Sequence, residues 1–216
     1  MPRESLKSKA ARTEQILQLL KEEFPDARCS LDYENPLQLL IATILSAQCT
    51  DARVNVVTED LFKTYKSAAD FADAPIGELE GAIRSTGFYR NKAKSIKGCC
   101  EALMEKYEGV VPDTMEELTP LAGVGRKTAN VLLGNAFGKE EGVVVDTHVG
   151  RITKLLKLTN QGNPGKVEQD LVKIVPRDDW TLFSHLLIRH GRKTCVARRP
   201  DCQACRLAEL CPSVKP

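Results

Sequence analysis

At ~100–200 residues per domain, a chain of 216 residues makes one large domain or two small ones, and 31 basic against 29 acidic side chains leave a formal charge of only +2. That total does not by itself imply attraction to a polyanion, and 42% hydrophobic residues exclude a disordered segment. The longest apolar runs, around Leu39 to Leu45 and Val143 to Val145, fall far short of the ~20 residues of a membrane-spanning helix, so no membrane partner is expected. The N-terminal MPRESLKSKAARTEQ carries charge without an apolar stretch behind it, which argues against a secretory signal and for a cytoplasmic protein.

Taken in chain order, the segment from Thr13 to Phe24 has apolar Ile16, Leu17, Leu19, Leu20 and Phe24 at helical spacing and ends at Pro25. Asn35-Pro36 supplies a cap and a first-turn proline for LQLLIATILSAQ, which is apolar nearly all round and should be the core helix, running to Gln48. Asp51 is placed to cap a helix bearing Val54, Val57, Leu61, Phe62 and Tyr65, and Ser67 to cap a short helix after it. Asn91 to Tyr107 sets Ile96, Cys100, Leu103 and Tyr107 on one side, and Gly109 can stop it. Asp113 and Glu116 have capping-box spacing for a short helix to Leu118. A turn then leads into a helix from Arg126 to Phe137. Val143 to Val145 is strand-like but too short to imply a sheet, and helices follow from Thr147, Pro164 and Asp179, the last ending at Gly191. The expected fold is all-α.

In LTPLAGVGRKTANVLLGNAFG two glycines two apart separate short helices. Glycine permits positive φ and close backbone approach, so the Val124 and Gly125 amides and the next helix's N-terminus can point at a phosphate; a plain tight turn between core helices is the competing reading. The nucleotide-binding alternatives fail on spelling. A P-loop needs Gly-Lys-Ser/Thr after a strand, and Gly123, Gly125 and Thr128 do not complete GxGxxG. Beside this turn, Lys127 is a candidate nucleophile. A lysine amine attacks only when unprotonated, and neighbouring Arg126 and a helix N-terminus both disfavour an ammonium.

Four of the eight cysteines, 195, 202, 205 and 211, fall in the last 22 residues. In a reducing compartment such a cluster reads as metal ligands rather than disulfides. Thiolates suit zinc and iron-sulfur centres alike; structural zinc sites usually pair two short knuckles, and C-x6-C-x2-C-x5-C has only one short pair. Cys29, Cys49, Cys99 and Cys100 are read as small buried hydrophobes, three of them on helices, with no function assigned.

LAGVGRKTA, Asp146 in VDTHVGR 19 residues after Lys127, and the C-x6-C-x2-C-x5-C ending together resemble the endonuclease III family, the iron-sulfur branch of the helix-hairpin-helix DNA glycosylases; LSAQCTD and GFYRNKA extend the likeness along nearly the whole chain. Ala122 departs from it, standing where the family usually has proline. The resemblance implies two helical domains with a cleft between them. One would be a six-helix helix-hairpin-helix domain over residues 29–140, the other an iron-sulfur cluster domain made of 1–28 with 141–216. Across the cleft, Lys127 would attack C1′ of the damaged nucleotide, and Asp146 would assist deprotonation and stabilise an oxocarbenium-like transition state, unless it is simply a helix cap. Cys195, Cys202, Cys205 and Cys211 would hold a 4Fe-4S cluster.

By the same resemblance, Leu121, Gly123, Val124, Gly125, Arg126 and Thr128 would bind the DNA backbone. Base extrusion leaves a hole and an orphan base; Gln48 would fill the first and Phe88, where leucine is commoner in the family, would wedge the opposite strand. Asp51 and His148 would line the base pocket, and Arg198 and Arg199, on the loop between the first two cysteines, would meet phosphate. The region Arg189 to Arg206 holds six basic residues against one acid, so the local surface matters more than the total charge. Adenine-excising relatives usually carry serine in place of the lysine and a long C-terminal domain, whereas five residues follow Cys211 here. The implied protein is a monomeric glycosylase and abasic-site lyase for oxidised pyrimidines in double-stranded DNA, working at the nucleoid of a prokaryote. A catalytically silent redox-sensing DNA-binding module and an excision enzyme for mismatched or alkylated bases are the alternatives.

Overall fold

The computed structural model describes residues 4–214; residues 1–3, the start of the basic N-terminal segment, and the last two lie outside it. Among the described residues the regular elements are helical, and Val143 to Val145 forms no strand. In chain order they are α1 (Leu6–Glu23), α2 (Pro36–Leu45), α3 (Asp51–Thr64), α4 (Ala68–Asp73), α5 (Ile76–Ala82), α6 (Tyr89–Tyr107), α7 (Met115–Leu118), α8 (Arg126–Ala136), α9 (Thr147–Leu155), α10 (Pro164–Leu171) and α11 (Trp180–Lys193), with 3₁₀ turns at Arg84–Thr86, Arg177–Asp179 and Ala208–Leu210. The chain divides into two compact units, one of Cys29–Glu141, the other of the residues up to Arg28 together with those from Gly142 onward.

The Cys29–Glu141 unit is built around α2. Asn35 caps it by accepting from the Gln38 amide, Pro36 starts it, and Leu39, Leu40, Ile41, Ala42 and Leu45 are fully buried. Each aliphatic side chain so enclosed contributes roughly 1.5–3 kcal/mol. The helix stops at Leu45, three residues earlier than its apolar pattern suggests, because Ser46 to Gln48 form a turn that carries the chain to α3. The short helix anticipated from Ser67 is two, α4 and α5: Pro75 has no amide hydrogen and cannot continue α4, so it stands instead at the start of α5. Two expected caps move by one residue. Thr50 rather than Asp51 caps α3, and Thr114 rather than Asp113 caps α7, since it is Thr114 that immediately precedes the first helical residue; Asp113 pairs with Lys139 at 2.7 Å.

The other unit has its own core of Ile16, Leu17 and Leu20 from α1 with Val149, Ile152, Leu171, Phe183, Leu186 and Leu187. Helix α1 begins seven residues before the expected Thr13, capped by Ser5, and that extra length places Lys9 and Arg12 to donate to the Leu158, Leu156 and Leu210 carbonyls. Gly191 does not end α11, which runs on to Lys193. Its missing side chain serves close packing instead, since a Cβ there would lie 2.9 Å from Ile152 Cδ1 and 3.0 Å from His148 Cδ2 and make those side chains shift.

Cys99 and Cys100 are fully buried on α6. Burial pushes the Cys99 thiol up to about 12 and raises Cys100 as well, so both stay protonated while an unfolded chain ionises near 9. Above that pH the unfolded state holds fewer protons, and stability falls by about 1.4 kcal/mol per pH unit for each thiol. Urea unfolding at pH 8 and 10 should therefore show a steeper loss for the wild type than for the Cys99→Ala, Cys100→Ala double variant. Equal losses would show that these thiols are not held neutral.

Candidate functional site

Helices α7 and α8 and the turn between them form a helix-hairpin-helix. Leu121, Ala122, Gly123 and Val124 make a reverse turn in which the Val124 amide donates to the Leu121 carbonyl at 3.0 Å, with Gly123 at φ +78° in the third position. That is the arrangement of a type II turn, whose second position favours proline; Ala122 occupies it. Gly123 is required twice over, since a Cβ there would also meet the Ser95 Cβ at 2.9 Å. The Val124 amide is thus spent inside the turn and is not available to a phosphate. The side chains of Leu121 and Val124 are buried in the core, so these residues offer an outside ligand backbone only.

Gly125 is the extended N-cap of α8 and has no side chain to cap it. The first-turn N–H groups that follow have no carbonyl within the helix to meet, which makes this end a positive, donor-rich surface. Arg126 and Lys127 are exposed on that first turn and Thr128 is half-buried. Lys127 therefore stands on the first turn of α8, exposed to solvent.

Gln48 and Phe88 share an unusual backbone. Among the described residues only four non-glycine positions have positive φ, and two of them are Gln48 at 53° and Phe88 at 49°. A left-handed non-glycine residue costs on the order of 1–3 kcal/mol, and such strain gathers at functional positions. Both side chains are exposed, Phe88 at 62%. Neither is the packed core residue that its neighbours would suggest. Asp51 accepts from the Ser30 hydroxyl at 2.6 Å on the opening residue of α3. Cys49, expected on a helix, lies in the bend between α2 and α3.

In the other unit, Asp146 caps α9: its Oδ1 accepts from the His148 and Val149 amides, both at 2.8 Å, and its Oδ2 lies 3.0 Å from His148 Nδ1. The cap reading is met in full. A carboxylate oxygen has two acceptor positions, so Oδ2 keeps capacity beyond His148.

Cys195, Cys202, Cys205 and Cys211 line one cavity of about 170 Å³, with Arg151 and His190 in its wall. Cys205 and Cys211 are pushed up first by burial and then by the charges of the other cysteines of the set. Arg151 Nη1 approaches Cys195 Sγ at 3.6 Å, and His190 Nε2 lies 3.8 Å from Cys205 Sγ. Among the described residues no three Cys, His, Asp or Glu converge on a single ion position. The spacing pointed to the four thiols but carried no sign of Arg151 or His190. Arg198 and Arg199 are exposed on the loop between Cys195 and Cys202.

Residues 41–177, well over half of the chain, match the HhH-GPD superfamily base excision DNA repair protein family, which defines the class. The endonuclease III of Synechocystis sp. is 53% identical over 96% of this chain and 95% of its own. A solved non-covalent endonuclease III–DNA complex matches at 45% identity with a TM-score of 0.89, covering 94% of this chain and 95% of that one. A trapped covalent endonuclease III–DNA intermediate matches with the same identity and score over 94% and 96%. Within the superfamily, the chain belongs to the endonuclease III family.

Two substitutions test the hairpin. Gly123→Ala must accept both the left-handed backbone and the Ser95 contact and should cost about 1–3 kcal/mol, whereas Ala122→Pro should add ~0.4–1 kcal/mol by restricting the unfolded chain. Denaturant midpoints check both; a neutral Gly123→Ala would contradict the turn geometry.

Proposed function

We infer that the protein is a base excision repair DNA glycosylase and abasic-site lyase that acts on oxidised pyrimidines in duplex DNA, at the nucleoid of the cell. The observation that carries this reading is Lys127 itself: an exposed primary amine on the first turn of α8, directly after a glycine turn whose N-cap, Gly125, has no side chain to accept from the helix's first amides. The solved relative that is a trapped covalent endonuclease III–DNA intermediate supports a covalent nucleophile here.

The donor-rich start of α8, from Gly125 to Thr128, would hold a DNA phosphate and bring the sugar to Lys127. The Nζ lone pair attacks C1′, the C1′–N bond to the base breaks, and the base leaves with a proton. The ammonium formed at Nζ loses a proton, the C1′–O4′ bond breaks as O4′ takes up a proton, and the resulting protonated imine acidifies C2′; loss of that C2′ proton expels the 3′ phosphate, and water adds to the imine carbon to release the enzyme. Asp146 is assigned the proton transfers and the stabilisation of positive charge on the sugar, using the Oδ2 capacity that its capping bonds leave. Gln48 and Phe88 are assigned to the opened stack, Asp51 and His148 to the base pocket, and Arg198 and Arg199 to the phosphate backbone.

Lys127→Ala should abolish the borohydride-trapped adduct on abasic duplex while leaving the fold intact; persistence of the adduct would refute the nucleophile. Asp146→Asn separates cap from chemistry, because Asn caps as well as Asp. Thermal stability should hold while single-turnover excision falls by about 10²–10⁴-fold, the range for a positioned acid or base.

A 4Fe-4S cluster held by Cys195, Cys202, Cys205 and Cys211 would suit the cavity they line, whose volume of about 170 Å³ is far above the ~10–15 Å³ that a single water needs. When bound, the cluster supplies a cross-link for the loops of residues 195–211, and Arg151 is placed to donate to the Cys195 sulfur. Purified protein should contain about four irons per chain, the content of such a cluster. Cys205→Ala should lose the iron and lower the melting temperature. One zinc and no iron would overturn the assignment.

A further inference from the structure

Lys92 is a lysine where lysines are rarely found. It sits on the first turns of α6, 4% exposed, and its ammonium donates to two main-chain carbonyls, Leu45 O and Thr86 O, each at 2.8 Å. Leu45 is the last residue of α2, and its carbonyl is one of those a helix end leaves without an internal partner. Thr86 ends the 3₁₀ turn Arg84–Thr86. Burial pulls the Lys92 ammonium down from its ordinary value, and the Cys49 sulfur is within its electrostatic reach.

The two acceptors are not arbitrary. Three residues beyond Leu45 comes Gln48, and two beyond Thr86 comes Phe88, the exposed left-handed pair. The two segments are 41 residues apart in sequence, and one ammonium holds a carbonyl of each. A methionine of similar shape would fill the space with no desolvation cost, so a purely space-filling role does not call for lysine.

We propose that Lys92 is the positioning residue for base extrusion, clamping the Leu45–Gln48 and Thr86–Phe88 segments together so that Gln48 and Phe88 enter the duplex as one unit. This rests on the reading that those two side chains occupy the opened stack. Lys92 touches no DNA itself; it acts through the two segments.

The test is a double-mutant cycle on single-turnover excision from a thymine-glycol duplex, with 2-aminopurine fluorescence beside the lesion reporting unstacking. Lys92→Met should slow excision between about 10- and 100-fold, the scale on which a misplaced active geometry shows. It should also reduce the fluorescence rise at saturating protein. In a Gln48→Ala, Phe88→Ala background, the same substitution should cost less than about twofold, since residues acting as one unit are not additive. An equal loss in both backgrounds, or an unchanged rate in the otherwise wild-type enzyme, overturns the proposal. If Lys92→Met does not fold, Lys92→Gln, which keeps amide donors on a shorter stem, should give a smaller loss that likewise vanishes in the double-alanine background; a loss that persists there overturns it. The insertion reading fails separately, and takes the proposal with it, if Gln48→Ala, Phe88→Ala alone excises at the wild-type rate.

Discussion

A helix leaves its first N–H groups and its last carbonyls without internal partners, and the chemistry assigned to this protein sits where those groups are handled. At α8 the N-cap is Gly125, which has no side chain to accept from the first-turn amides, and Lys127 stands exposed beside them. At α9 the opposite choice is made: Asp146 satisfies the His148 and Val149 amides and carries a carboxylate with capacity remaining. At the end of α2 the Leu45 carbonyl is taken by a buried ammonium from α6. One rule of backbone accounting is answered in three ways: a helix start with no side-chain cap, a carboxylate fixed by two amides, and a buried ammonium bonded to two carbonyls.

Burial explains why these ends can be exact. Helix α2 is enclosed nearly all round, so its axis has little freedom, and the turn after Leu45 inherits that rigidity. Gly123 passes so close to the Ser95 Cβ of α6 that an added side chain forces a shift, while Ile44 of α2 lies in ordinary contact. Gly191 lets α11 approach Ile152 and His148 of α9 closely. In each unit helices approach closely at these positions, and the cost of the left-handed Gln48 and Phe88 is borne by the surrounding packing.

Legibility followed the range of the physics. Helices with a clear apolar stripe, a capping residue and a breaker were readable, as α2 and α8 illustrate, because those signals are local. Errors fell at ends: Thr50 took the cap from Asp51, Thr114 from Asp113, and α11 ran past Gly191 because that glycine serves a neighbour rather than a stop. Lys92 lay one helical step before Ile96 on the buried stripe of α6, a placement that the charge of lysine masks until its two acceptors, both distant in sequence, are seen. Arg151 and His190 beside the cysteines had no spacing signal at all, since their proximity comes from the packing of α9 and α11.

By itself, the sequence determined the all-helical class, the two-glycine hairpin before Lys127, the four clustered cysteines and the resemblance to the endonuclease III family, because each is a pattern of residue types at short spacing. Only the tertiary structure decided that the Val124 amide is spent inside its own turn, that Gln48 and Phe88 are exposed on left-handed backbone, and that a single buried ammonium ties their segments together. Those are outcomes of which backbone groups find partners, and a backbone group's partner is chosen by the folded chain as a whole, not by the residues beside it.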